Sequence, residues 1–300
     1  LQYFSGPDSI YADFQLQTYL GRPVLTWFEE SLTSSPADFV SSLDGSTVAT
    51  FAGSGAYVPD IHEFRITPQN TALITTPAVI PVDLSSVGGP VNGQLINSYC
   101  EEVDIATGEV LFRWSAADHV SLTDSYFPLQ SAGAAAYDFF HMNSISITPD
   151  DHLLICSRHC CALYKVDRRS GEVIWTLGGK SSSFAVAPDA VFGFQHHAIY
   201  EGFDTIRLFD DGSDGISVWH PSRVAWIGVD TRAMTASLAD SMTIPGIQSA
   251  AMGSAQRLPN GDVFVSWGST PRISEFSPSG EVLFDATLGS PSYRAFKFPF

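Results

Sequence analysis

Hydrophobic and polar positions alternate in short runs along most of this chain, and the runs come in pairs separated by turn chemistry. Residues 143–147 alternate as a strand, Thr148-Pro149-Asp150-Asp151 is a turn, and residues 153–157 form a second strand. The same hairpin pattern appears at 14–19 with 24–28, 62–66 with 72–75, 196–200 with 206–209, and 253–258 with 263–267. A second kind of hairpin recurs between them. Asp104-Ile105-Ala106-Thr107-Gly108-Glu109 returns as Asp167-Arg168-Arg169-Ser170-Gly171-Glu172 and as Ser277-Pro278-Ser279-Gly280-Glu281, each flanked by apolar strand residues. Inner and outer hairpins together make four-stranded antiparallel units, and such units repeated along a chain predict an all-β fold, a β-propeller. Five inner hairpins predict five nearly complete blades, with a sixth that is partial or split, in a single domain over 1–300. The first hairpin starts near residue 13 and the chain closes on Phe296-Lys297-Phe298-Pro299-Phe300, which fits truncation at one or both ends. The longest breaks, 78–93 and 115–136, read as loops, the second with a short helix or a lid.

Composition supports this picture. The 300 residues are 44% hydrophobic and 16% charged, with 24 glycines and 18 prolines, which favours many short strands over long helices. No apolar run reaches the roughly 20 residues of a membrane helix. A net charge of −17 argues against nucleic acid and anionic membranes as partners. Acidity with little lysine points to a secreted or extracytoplasmic protein. Cys156 reads as a core residue, Cys160 and Cys161 lack metal-type spacing, and the pairing of Cys100 stays open.

The candidate chemistry is a set of histidines in register. His62, His141 and His196 each stand just before the first strand of an inner hairpin, and equivalent positions of adjacent blades converge on a propeller axis. A turn centred between Pro149 and Asp150 sets His141 opposite Arg158, placing an imidazole beside a guanidinium as an anionic substrate requires. A turn centred near Phe203 sets His196 opposite Asp210, a carboxylate able to hold one ring nitrogen and leave the other as nucleophile. His197 points to the other face, while His119, His152, His159 and His220 have no register in the repeat. Phe139, Phe140, Phe194 and Trp267 are candidates to stack on an aromatic substrate, against the blander reading of blade packing.

On Asp138-Phe139-Phe140-His141-Met142-Asn143-Ser144, Ser157-Arg158, Leu177-Gly178-Gly179-Lys180 and Phe194-Gln195-His196-His197-Ala198, the chain resembles the aryl sulfotransferase (ASST-type) propeller family. His62-Glu63-Phe64 and Gly253-Ser254-Ala255-Gln256-Arg257-Leu258 through Trp267-Gly268-Ser269 fit it as well. The resemblance implies a six-bladed propeller that transfers a sulfuryl group from an aryl sulfate to a phenol, without a nucleotide donor and without a cofactor or metal. It implies His196 as the transiently sulfurylated residue, His141, His62 and Arg158 as its catalytic companions, and Asn143 as a sulfate or substrate contact. His197 stands where relatives often have aspartate, which marks a divergent branch. Three rivals remain open: a metal-dependent propeller enzyme, a histidine-based propeller lyase, and a non-catalytic binding scaffold.

Overall fold

The computed structural model describes residues 9–32, 34–53, 57–129 and 136–298, so Pro299 and Phe300 of the apolar terminus lie outside the described residues. These fall into two compact units, Leu1–Thr123 with Phe127–Ile145, and Asp124–Tyr126 with Ser146–Phe300. The chain is an all-β propeller fold, with five blades of four antiparallel strands among the described residues and no sixth.

The first unit carries the first blade, Ser9–Tyr19, Arg22–Ser31, Ser34–Ser42 and Thr47–Phe51, paired in sequence order. Its second blade pairs Phe64–Ile66, Thr71–Thr75, Tyr99–Asp104 and Val110–Ser115. Val24, Val40, Phe51, Phe64 and Ile74 form the buried core of these two blades, each large side chain contributing about 1.5–3 kcal/mol on removal from water. The break expected at 78–93 is instead a small hairpin, Ala78–Val82 with Gly93–Asn97, separate from the blades. Pro81 suits this two-stranded ribbon because a strand without inner neighbours tolerates the missing N–H donor.

The third blade, Met142–Ile147, Leu153–Ser157, Ala162–Val166 and Val173–Gly178, begins where the first unit ends. The fourth is His196–Tyr200, Thr205–Asp210, Arg223–Asp230 and Thr235–Met242, extended by the parallel pair Ala185–Val186. The fifth is Ser254–Arg257, Val263–Ser266, Arg272–Phe276 and Val282–Thr287. In the second unit Leu154, Leu163 and Leu177 pack against Ala198, Leu208 and Ile227, and Phe209 and Val224 against Val265, Trp267 and Phe276. Outer strands are the wet ones: Val282, Leu283 and Phe284 are exposed, whereas every residue of Leu153–Ser157 is buried.

The outer hairpins owe their repetition to one turn. Asp104 Oδ1 accepts the Thr107 N–H at 2.8 Å, and Gly108, at φ 74°, returns its N–H to the Asp104 carbonyl at 2.8 Å. Asp167 does the same for Ser170 and Gly171. The fourth blade uses this chemistry unannounced. Asp230 Oδ1 accepts the Arg232 and Ala233 N–H groups, and Met234 takes the left-handed position at φ 53° without a glycine.

Between residues 115 and 136 the described part contains a four-residue helix, Ala116–His119, and the 3₁₀ turn Leu122–Asp124; residues 130–135 lie outside it. The turn at 148–152 closes through Thr148 N–H to the His152 carbonyl at 2.8 Å, a loop one residue longer than expected. A register centred between Pro149 and Asp150, which set His141 against Arg158, therefore does not hold.

Candidate functional site

The three histidines in register share one feature that their spacing concealed: each has its Nδ1 on a carboxylate. In the first unit His62 Nδ1 donates to Asp60 Oδ2 at 2.6 Å, and His141 Nδ1 to Asp138 Oδ2 at 2.6 Å. The two rings meet edge to face, with centroids 4.9 Å apart and planes at 83°. Their side chains keep 14% and 28% of their surface. Burial raises the Asp60 carboxyl, but His62 and Thr75 outweigh it, and the group lies below the ordinary carboxylate range. An ionised Asp60 accepts only, so the His62 proton shared with it sits on Nδ1. Asn143 follows on the strand Met142–Ile147 and is fully buried.

In the second unit His196 Nδ1 donates to Asp211 Oδ2 at 2.7 Å, with both groups buried. The carboxylate is Asp211 and not Asp210, and a bulge is the reason. Ile199 pairs with Arg207 and Tyr200 with Ile206, the register that a turn near Phe203 predicts, but at His197 the ladder shifts and His196 pairs with Phe209. His197 occupies the left-handed region at φ 51°, as the extra residue of a bulge does. Asp210 is employed elsewhere: it accepts the Gly193 N–H at 3.0 Å and Arg223 Nε at 3.0 Å. His197 Nδ1 accepts the Ala255 N–H at 3.4 Å and its ring packs on Phe296, which makes it a structural contact between blades four and five.

The other ring nitrogen of His196 fixes the tautomer. The Met252 N–H donates to Nε2 at 3.2 Å, so Nε2 carries a lone pair and the proton sits on Nδ1, facing Asp211. Arg158, also buried, donates from Nη2 to the Ala250 carbonyl at 2.7 Å and lies 5.4 Å from the Phe194 ring centroid. Burial pushes Asp211 well up from the ordinary carboxylate range, and the Arg158 charge pulls it back. One short segment, 250–252, thus holds both the Arg158 guanidinium and His196 Nε2. Gly268 admits it: a Cβ there would stand 2.3 Å from the Ala251 carbonyl oxygen.

A model of the family described as Arylsulfotransferase (ASST) matches residues 33–289. The chain belongs to the arylsulfotransferase (ASST) family. No curated protein matches it. Among solved structures, a Bacteroides caccae protein of unknown function aligns at a TM-score of 0.52 and 12% identity, over 90% of this chain and 80% of that one. A streptogramin B lyase aligns at 0.50 and 8% identity, over 96% and 72%. At such identities these likenesses concern the fold.

For an ASST-family chain, the other candidates divide sharply. Phe139, Phe140 and Trp267 are wholly buried in blade packing and offer no face to a substrate. The four cysteines are buried thiols; burial pushes Cys160 up to about 11 and Cys161 further, so neither is a nucleophile at neutral pH. What the sequence reading missed are the carboxylates. Asp60 and Asp138 stand two and three residues before their histidines, a local signal that was available. Asp211 had none, because the bulge decides it.

Proposed function

We propose that this chain is a nucleotide-independent aryl sulfotransferase, with His196 as the residue that is transiently sulfurylated. The observation that carries the reading is the His196–Asp211 pair beside Arg158, with its proton on Nδ1 and its lone pair on Nε2. A neutral imidazole with a fixed lone pair is a nucleophile, and a buried guanidinium fork is the partner of a sulfate's oxygens. Sulfuryl transfer, like phosphoryl transfer, asks mainly for positioning and for fixed donors at the equatorial oxygens.

In the first half-reaction Nε2 forms a bond to sulfur while the bond from sulfur to the aryl oxygen breaks, and the phenolate leaves with that electron pair. Sulfate oxygens take the place of the Ala250 carbonyl on Arg158, and sulfur takes the place of the Met252 N–H on Nε2. Asp211 stabilises the positive ring that results, holding its Nδ1 proton. The family reading gives His62 and His141, each tied to its own carboxylate, the protonation of the phenolate and the removal of the proton from the incoming phenol; Asn143, fully buried, offers no atom to a substrate. The donor is an aryl sulfate and the acceptor a phenol, met in an extracytoplasmic compartment.

The test is intact mass after incubation with 4-nitrophenyl sulfate alone. The expected result is a sulfuryl adduct on the peptide holding His196, discharged by added phenol and absent in His196→Asn. A label on the peptide of His62 or His141 would overturn the residue assignment, and turnover with no covalent species would overturn the double displacement.

A further inference from the structure

With Phe139, Phe140 and Trp267 closed off, the second unit still carries one line of aromatic rings that leads from Arg158 to the surface. Phe194 lies under the Arg158 guanidinium, and its centroid is 5.3 Å from that of Trp219 at an interplanar angle of 61°. Trp219 meets Tyr126 at 5.1 Å and 69°. Lys180 Nζ lies 4.9 Å from the Tyr126 centroid and donates to the Ser125 carbonyl at 2.6 Å. Phe194 is buried, but Trp219 and Tyr126 each keep 38% of their surface.

The backbone amides of both exposed aromatic residues are tied to the chain beside Asp211 and Arg158. The Trp219 N–H donates to the Gly212 carbonyl at 2.7 Å, the residue directly after Asp211, and the Gly212 N–H donates to Gly193 at 3.0 Å. The indole lies so close over Gly193 that a Cβ there would approach it to 2.5 Å. The Tyr126 N–H donates to the His159 carbonyl at 2.7 Å, directly after Arg158. An indole held against Gly193 in this way loses little freedom when a further ring packs on it.

We propose that Trp219 and Tyr126 form the subsite for the aryl ring of the substrate, and that Lys180 at its far end selects rings bearing an anionic substituent. This rests on the sulfotransferase reading for the role of Arg158, and it deepens that reading by naming the ligand class: phenols and aryl sulfates with a carboxylate on the ring. Two rings inclined at 69° offer both stacking and edge contacts to one further ring. The ammonium, already over one face of Tyr126, supplies a point charge for the carboxylate.

Binding measured apart from turnover tests the subsite. Calorimetric titration with 4-hydroxybenzoate and with phenol is run on the unchanged protein and on Trp219→Ala, Trp219→Phe, Lys180→Met and His196→Asn. Trp219→Ala is expected to weaken both ligands about tenfold, Trp219→Phe to restore most of that, and His196→Asn to leave ring binding within about twofold. Lys180→Met is expected to abolish the preference for 4-hydroxybenzoate while leaving phenol unchanged. Unaltered affinity in a folded Trp219→Ala, or an intact preference in Lys180→Met, overturns the proposal, as does an unchanged protein that binds neither ligand. Ring binding through Trp219 in a protein that never becomes sulfurylated would sustain the subsite and defeat the transfer reading; a sulfurylated protein indifferent to Trp219 would do the reverse.

Discussion

Replacing Asp211 by asparagine isolates the orientation of His196 from everything else that the site needs. Asp211 Oδ2 accepts the Nδ1 proton at 2.7 Å, and the Met252 N–H occupies the far nitrogen at 3.2 Å. An asparagine that turns its oxygen to Nδ1 keeps the tautomer but loses the charge. A charge-assisted hydrogen bond contributes about 1.5–3 kcal/mol against about 0.5–1.5 for a neutral one, so this loss alone is roughly 1–2 kcal/mol, or about 5–30-fold in rate. An asparagine that turns its amide to Nδ1 moves the ring proton to Nε2, where it meets the Met252 N–H donor to donor and removes the lone pair. Exchange of an orienting aspartate for asparagine in a catalytic triad costs about 10⁴-fold through such a tautomer change. Single-turnover release of 4-nitrophenolate with enzyme in excess should therefore slow by at least about fivefold and by as much as about 10⁴-fold. Melting provides the control. Burial lifts Asp211 well above its ordinary value, so its charge opposes folding at neutral pH and a neutral amide of the same shape should not lower the Tm. A release rate within about threefold of the unchanged protein, in a variant that melts normally, would refute Asp211 as the group that sets the tautomer of His196.

Three further outcomes follow from the same geometry. Arg158→Lys should lose about 10²-fold or more in kcat/KM despite its charge, since an ammonium cannot address two sulfate oxygens in a plane; near-normal steady-state turnover would remove Arg158 from that role. Gly268→Ala should lower both Tm and turnover, because the added Cβ stands 2.3 Å from Ala251 O and must displace the segment that meets His196 and Arg158; a cost of about 1–3 kcal/mol in urea unfolding is expected, and an unchanged midpoint would show that the segment yields freely. Asp38→Asn should stabilise the fold at neutral pH: burial, with Asp13, Asp60 and Glu63 adding to it, raises Asp38 well above its ordinary value. A folded-state value above the unfolded one costs stability as pH rises past about 4, so the gain in Tm should grow from pH 4 to pH 7, and a gain that shrinks over that range would contradict the shift.

The sequence by itself determined what local chemistry decides. The five inner hairpins and the turns at Gly108, Gly171 and Gly280 were legible because alternation and turn residues act over a few neighbours. The equivalent turn at Met234 was not, since the Asp230 carboxylate holds it where composition shows no glycine. The positions of His62, His141 and His196 were legible as a repeat, yet only the folded chain supplied their partners. One bulged residue, His197, moved the orienting carboxylate from Asp210 to Asp211, and a longer turn undid the pairing of His141 with Arg158. Register along a strand is a sum over every residue in it, so one insertion that tertiary packing stabilises redirects the side chains beyond it. Aromatic residues pose the same difficulty. Phe139, Phe140 and Trp267, each just outside a blade strand, vanished into the core, whereas Trp219 and Tyr126, also outside the strands, kept a face to solvent. Composition gives a ring its affinity for other rings; which rings remain uncovered is settled only when the blades have packed.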